Sequence, residues 1–164
     1  MIVRRLLTTL ILVVGMVISL SVSAQVGIKN KVRKINTEGK IELSTESVEV
    51  MNKTPKFAMG VSTARRLQSA LMMYETLKNN NVKFKNYEIL IWGQVVSELR
   101  DGSEWHEMFK EILEDKRIKV SVCAFAMKKL KLDEKELIPG MIAVPDAFSR
   151  VYELQALGYN VLIP

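Results

Sequence analysis

Apolar residues return at two different periods along this chain, and the alternation between the two lays out a fold. At 56–61, apolar Phe57, Met59 and Val61 occupy every second position, which predicts a strand. Ser62 or Thr63 can cap a helix beginning at Ala64. Ala64, Leu67, Leu71, Tyr74 and Leu77 recur at spacings of three and four, the stripe of an amphipathic helix running to about Lys78. Asn79, Asn80 and Asn81 end it, because Asn tolerates the left-handed conformation of many helix termini. A second strand is predicted at 87–92, closed by Gly93. Its run Ile89-Leu90-Ile91-Trp92 contains no polar residue, as expected where both faces are covered. Residues 95–99 predict a single helical turn. Asp101, Gly102 and Ser103 announce another helix, with Glu104 three residues after Asp101 as a capping-box partner. In it Trp105, Met108, Phe109, Ile112 and Leu113 form the cleanest helical stripe in the chain.

The remaining chain continues the alternation. Ile118, Val120 and Val122 alternate with Lys119 and Ser121, predicting a strand at 118–123 rich in β-branched residues. From Ala124 helix formers take over, with Ala124, Met127 and Leu130 on one face. Pro139-Gly140 is a turn signal and 141–144 a short apolar strand. Pro145 suits the first turn of a helix that carries Phe148, Val151, Tyr152 and Leu154 until Gly158 stops it. Val161, Leu162 and Ile163 make a fifth strand, ended by Pro164. Strand and helix in alternation predict an α/β fold, a five-stranded, mostly parallel sheet covered by helices on both faces. Sites in such sheets form beyond the carboxyl ends of the strands. Gly93, Cys123 and Pro145 are all expected at that edge.

Upstream the pattern is weaker. Arg4 and Arg5 precede an apolar run at 6–20, and Val22-Ser23-Ala24 supplies small residues before Gln25. This predicts a secretory signal peptide at 1–24, export to the periplasm or beyond, and no membrane attachment after cleavage. Residues 25–55 read as an N-terminal extension that begins with the basic residues Lys29, Lys31, Arg33 and Lys34. Ile41 with Leu43, and Val48 with Val50, alternate with polar neighbours. They predict short edge strands or an arm laid on another subunit. The α/β domain proper is expected at 56–164.

Composition removes several classes of function. The formal net charge is +6, but lysines are scattered among glutamates, a pattern of solubility rather than of nucleic-acid binding. No His cluster or CxxC gives a zinc signature, and the glycines form neither GxGxxG nor a P-loop. No GxSxG elbow is present, and no cofactor or metal is expected. Met59, Met72, Met73 and Met127 could with Cys123 hold a soft ion such as Cu(I), yet their spacings fit core positions better. His106, the only histidine, falls outside the apolar stripe of its helix and reads as a solvated surface residue.

Cys123 is the only cysteine, which excludes an internal disulfide and leaves a free thiol, an intermolecular bridge or a reactive site. It stands where a strand ends and a helix begins. Free backbone N–H groups at a helix start stabilise a thiolate. Equally, free cysteine is among the most buried residue types and behaves as a small hydrophobe.

Two segments resemble the DsrE/DsrF-like sulfur-relay family. Val122-Cys123-Ala124-Phe125-Ala126-Met127-Lys128-Lys129 is similar to that family's cysteine followed by small residues and a basic pair. Leu137-Ile138-Pro139-Gly140, then Val144-Pro145, Leu154-Gln155-Ala156-Leu157-Gly158-Tyr159 and Pro164 look like the C-terminal signature of a secreted DsrE-like subgroup. The resemblance implies a three-layer flavodoxin-like fold assembled as a trimer or hexamer. It also implies Cys123 as a catalytic residue carrying sulfane sulfur as a persulfide, with a sulfur-donor or acceptor protein as partner. Two features depart from the family pattern: the well-known relay members are cytosolic, and bulky Phe125 follows the cysteine where smaller residues are usual. Two classes of function therefore stand side by side. One is a sulfur carrier or sulfurtransferase, with Lys128 or Lys129 favouring the Cys123 thiolate. The other is a non-catalytic oligomeric binding module in which Cys123 is merely packed.

Overall fold

The alternating apolar runs become five strands of one sheet in the computed structural model, which describes residues 40–164. The strands are β1 (Lys56–Val61), β2 (Asn86–Ile91), β3 (Ile118–Cys123), β4 (Ile142–Val144) and β5 (Asn160–Leu162). They lie in the order β4-β3-β2-β1-β5, and every neighbouring pair is parallel. The helices are α1 (Thr45–Met51), α2 (Ala64–Asn79), α3 (Glu104–Glu114), α4 (Ala124–Lys129) and α5 (Ala147–Ala156). Short 3₁₀ turns occupy Gln94–Glu98 and Glu134–Glu136.

Connection handedness sorts the helices into layers. The chain steps in one direction from β1 through β2 and β3 to β4, then jumps back to place β5 beside β1. Right-handed crossovers put α2, α3 and α4 on one face for the forward steps and α5 on the other for the return. Strand alternation reads out the same division. The Tyr87 hydroxyl donates to the Ala70 carbonyl of α2 at 2.9 Å, whereas the next residue, Glu88, is bonded to Arg150 of α5.

The core lies mainly between the sheet and the forward helices. Val61, Ile89, Ile91, Val120 and Val122 meet Leu67, Leu71, Tyr74 and Leu77 of α2 and Trp105, Phe109 and Ile112 of α3, all buried. Thr63 caps α2 as expected, its hydroxyl accepting from the Arg66 N–H. Removing the Tyr87 hydroxyl leaves the Ala70 carbonyl without this donor. Tyr87→Phe should therefore lower stability by about 1 kcal/mol, read as a shift of the urea midpoint at constant slope; no shift would mean that the carbonyl finds another donor.

Several expectations need correction. Residues 45–51 form a helix, not an edge strand containing Val48 and Val50. Ser44 accepts from the Ser47 N–H and caps it, and Val48 and Met51 pack on the core three residues apart while Val50 stays exposed. The predicted Asp101–Glu104 capping box is absent: the N-cap of α3 is Ser103, and Asp101 is engaged with His106. A capping box does form at Asp133 and Glu136, where none was expected. In α5 the cap is Asp146, which accepts from Phe148 and Ser149, so Pro145 lies just outside the helix. Of the apolar residues on this helix, Val151 and Leu154 are buried with Ala147, while Phe148 and Tyr152 are exposed.

The predicted signal peptide, 1–24, and the first part of the extension lie outside the described residues. Among the described residues no helix is long and apolar enough to cross a membrane.

Candidate functional site

The carboxyl edge of the sheet gathers the three positions expected there. Gly93 follows β2 with φ +73°, and a Cβ at that position would stand 2.9 Å from the Ser62 carbonyl oxygen. Glycine is thus required both by the backbone conformation and by the close approach of the ends of β1 and β2. Cys123 is the last residue of β3 and the N-cap residue of α4, with extended backbone angles. Its register partner is Val144 of β4, one residue before Pro145. By alternation it falls on the face of Ser121, the face that α5 covers.

The thiol side chain is buried, with 5% of the residue exposed. Phe125, two residues on, is 59% exposed, and the Lys129 ammonium stands 4.7 Å from its ring centroid. Lys128 and Lys129 sit in the last turn of α4, away from its Cys123 end. No hydrogen bond or ion pair joins either to Cys123 among the described residues. His106 is not brought to the thiol either. Its Nδ1 lies 2.8 Å from Asp101 Oδ1 and 3.1 Å from the Gly102 nitrogen, so its partners belong to its own loop. Met59 and Met127 are core residues and Met72 is exposed, which separates the methionines instead of grouping them. Among the described residues no group of three His, Cys, Asp or Glu could hold a metal ion.

Two features of this face carried no recognisable signal in the sequence. The first is aromatic. The Trp92 indole lies over Gly60, where a Cβ would come within 2.8 Å of Cζ3, and its ring centroid is 6.2 Å from that of Phe148. Ile163 borders the same spot. The second is ionic. Glu88, 1% exposed, accepts from Arg150 through both oxygens, at 2.9 Å from Nε and 2.8 Å from a terminal nitrogen. Ser121 adds a third hydrogen bond at 2.7 Å. The hydrogen bond to Glu88 holds the Arg150 guanidinium above its ordinary value, despite partial burial. Tyr159 nearby is raised too, first by burial and then by the charge of Glu88.

A five-stranded parallel sheet with helices on both faces makes this a three-layer α/β protein, consistent with a flavodoxin-like fold, and its lone cysteine lies at the carboxyl edge of β3. Residues 50–164 match the DsrE/DsrF-like family, and the chain belongs to it. Among solved structures it is similar to MTH1491, a protein of unknown function from Methanobacterium thermoautotrophicum. That likeness has a TM-score of 0.57 and 17% identity, and covers 66% of this chain and 96% of the other, which supports the fold alone. No curated protein matches the chain.

Proposed function

We propose that this protein is an exported sulfur carrier of the relay type, with Cys123 as the residue that holds the transferred sulfur. The observation that carries the reading is the position of the chain's only thiol at the carboxyl edge of β3, within a family whose members suggest sulfur relay. The chemistry needs no metal and no net oxidant. The Cys123 thiolate attacks the outer sulfur of a donor persulfide, forming a new S–S bond as the old one breaks and the donor leaves as thiolate. An acceptor thiolate then attacks the outer sulfur on Cys123, takes it, and releases Cys123 as thiolate. The signal-like segment at 1–24 supports a periplasmic setting, where donor and acceptor would be other thiol proteins or small thiols.

The protein is further proposed to assemble as a homo-oligomer. Phe148, Tyr152, Leu162 and Ile163 leave apolar surface exposed on α5 and at the β5 edge, of the kind that marks contact sites. Sedimentation of the chain lacking 1–24 should give a multiple of the protomer mass, and Tyr152→Asp should lower it. A monomer at micromolar concentration would count against assembly.

The burial of Cys123 favours a second reading, a binding module of the same fold without sulfur chemistry. Transfer separates the two. Protein loaded from a polysulfide donor and freed of excess reagent should release thiocyanate on treatment with cyanide, up to one equivalent per chain. The carrier reading is lost if no thiocyanate forms, or if Cys123→Ser yields as much.

A further inference from the structure

Glu88 is the only buried charged residue among the described residues, and it sits in the middle of a strand. Its partners come from two directions. Ser121 lies beside it on β3, two residues before Cys123, and Arg150 descends from α5. Arg150 also donates to Glu153 at 2.8 Å, which fixes the guanidinium on its own helix. The rest of α5 is lightly anchored. Ala147, Val151 and Leu154 are its only buried side chains, against six on α2, and one of the three is alanine. Few buried apolar contacts mean a low free energy of local opening. A buried ion pair contributes little net stability compared with apolar packing, but it dictates where its two elements sit.

We propose that the Glu88–Arg150 pair is a latch. It holds α5 on the face of the sheet where Cys123 lies, and release of α5 with the sheet intact opens the thiol to reagents. The functional meaning of the latch rests on the sulfur-carrier reading, in which it would control when the thiol is offered. The geometry supports this in three ways. The network includes the Cys123 strand itself through Ser121. The helix begins at Ala147, three residues after the register partner of Cys123. Finally, Cys123 is only 5% exposed and shares the sheet face on which Arg150 of α5 meets Glu88, so that access to the thiol requires something on that face to move.

Alkylation of the full chain by iodoacetamide tests this without any sulfur chemistry. In the folded wild type, Cys123 should react much more slowly than in the urea-denatured chain. The rate should also be nearly independent of urea well below the unfolding midpoint, the mark of an opening that exposes little surface. Glu88→Gln keeps the shape and removes the charge. It should speed alkylation about tenfold or more while the urea dependence stays shallow. Ser121→Ala keeps the ion pair and loses one hydrogen bond, and should give about a threefold increase. The latch is overturned if neither variant changes the rate, or if the increase in Glu88→Gln carries the full urea slope of global unfolding. It is equally overturned if wild-type Cys123 reacts as fast as in the denatured chain. Should Glu88→Gln fail to fold, Ser121→Ala decides by the same two criteria. Gated alkylation without persulfide formation would leave the latch standing and remove the carrier reading; ungated alkylation with persulfide formation would do the reverse.

Discussion

Glu88→Ala is expected to cost about 3–5 kcal/mol of folding stability, among the largest effects of any single substitution in this chain. The loss comes less from the attraction removed than from the charge left behind. Arg150 is only 15% exposed in its side chain, and without Glu88 it keeps a single carboxylate partner, the exposed Glu153. Ser121, fully buried, loses its acceptor at the same time. The alanine also leaves an unfilled space between β2 and α5. The paired replacement Glu88→Met with Arg150→Met should recover most of the loss, because apolar side chains of similar volume bury the same area without an orphaned charge. Urea unfolding of the single and double variants measures both quantities. A single-variant loss below about 1 kcal/mol would mean that water reaches the guanidinium and that the network is not closed.

Most of the sheet was legible because the inner strands β1, β2 and β3 end in runs of consecutive buried residues and the forward helices α2 and α3 bury apolar stripes. Ile89-Leu90-Ile91 and the stripe Trp105, Phe109, Ile112 left little room for another period, and both elements stand where they were expected. Tertiary demands explain the misreadings. Val48 and Val50 alternate like a strand, but Val48 and Met51 also share one helical face, and contact with the core decides between the two periods. Asp101 looked like a cap because its spacing to Glu104 is right; His106 competes for it from one turn further on. The apolar positions of α5 gave no division into an inner and an outer set. In the structure the small Ala147 takes an inward place, and the aromatics Phe148 and Tyr152 are left outside.

The candidate site was legible as a position and not as an environment. The strand-to-helix switch at Cys123 comes from Val120, Val122 and the Ala-rich stretch beyond, all local signals. Its burial, and the Glu88–Ser121–Arg150 network on the same face, depend on residues up to 62 apart in the chain. Glu88 in particular does not stand out in the sequence, since it precedes the unbroken apolar run of its strand. Nothing near it in sequence announces an arginine partner on the final helix.

Loss of persulfide labelling in Cys123→Ser is the other large effect expected, and it is all or nothing. Serine is close to cysteine in size and suits the N-cap position that Cys123 occupies, so the fold should survive the change. What disappears is the atom that bonds to sulfur, since an alkoxide does not form at neutral pH and does not accept sulfane sulfur. Intact-mass measurement of the folded chain after brief exposure to a polysulfide donor reads this directly. The wild type should gain about 32 Da, one sulfur atom, in a form that reductant removes, and Cys123→Ser should gain nothing while unfolding at a similar urea concentration. A wild-type protein that gains no mass until it is denatured would contradict the assignment of Cys123 as a sulfur carrier.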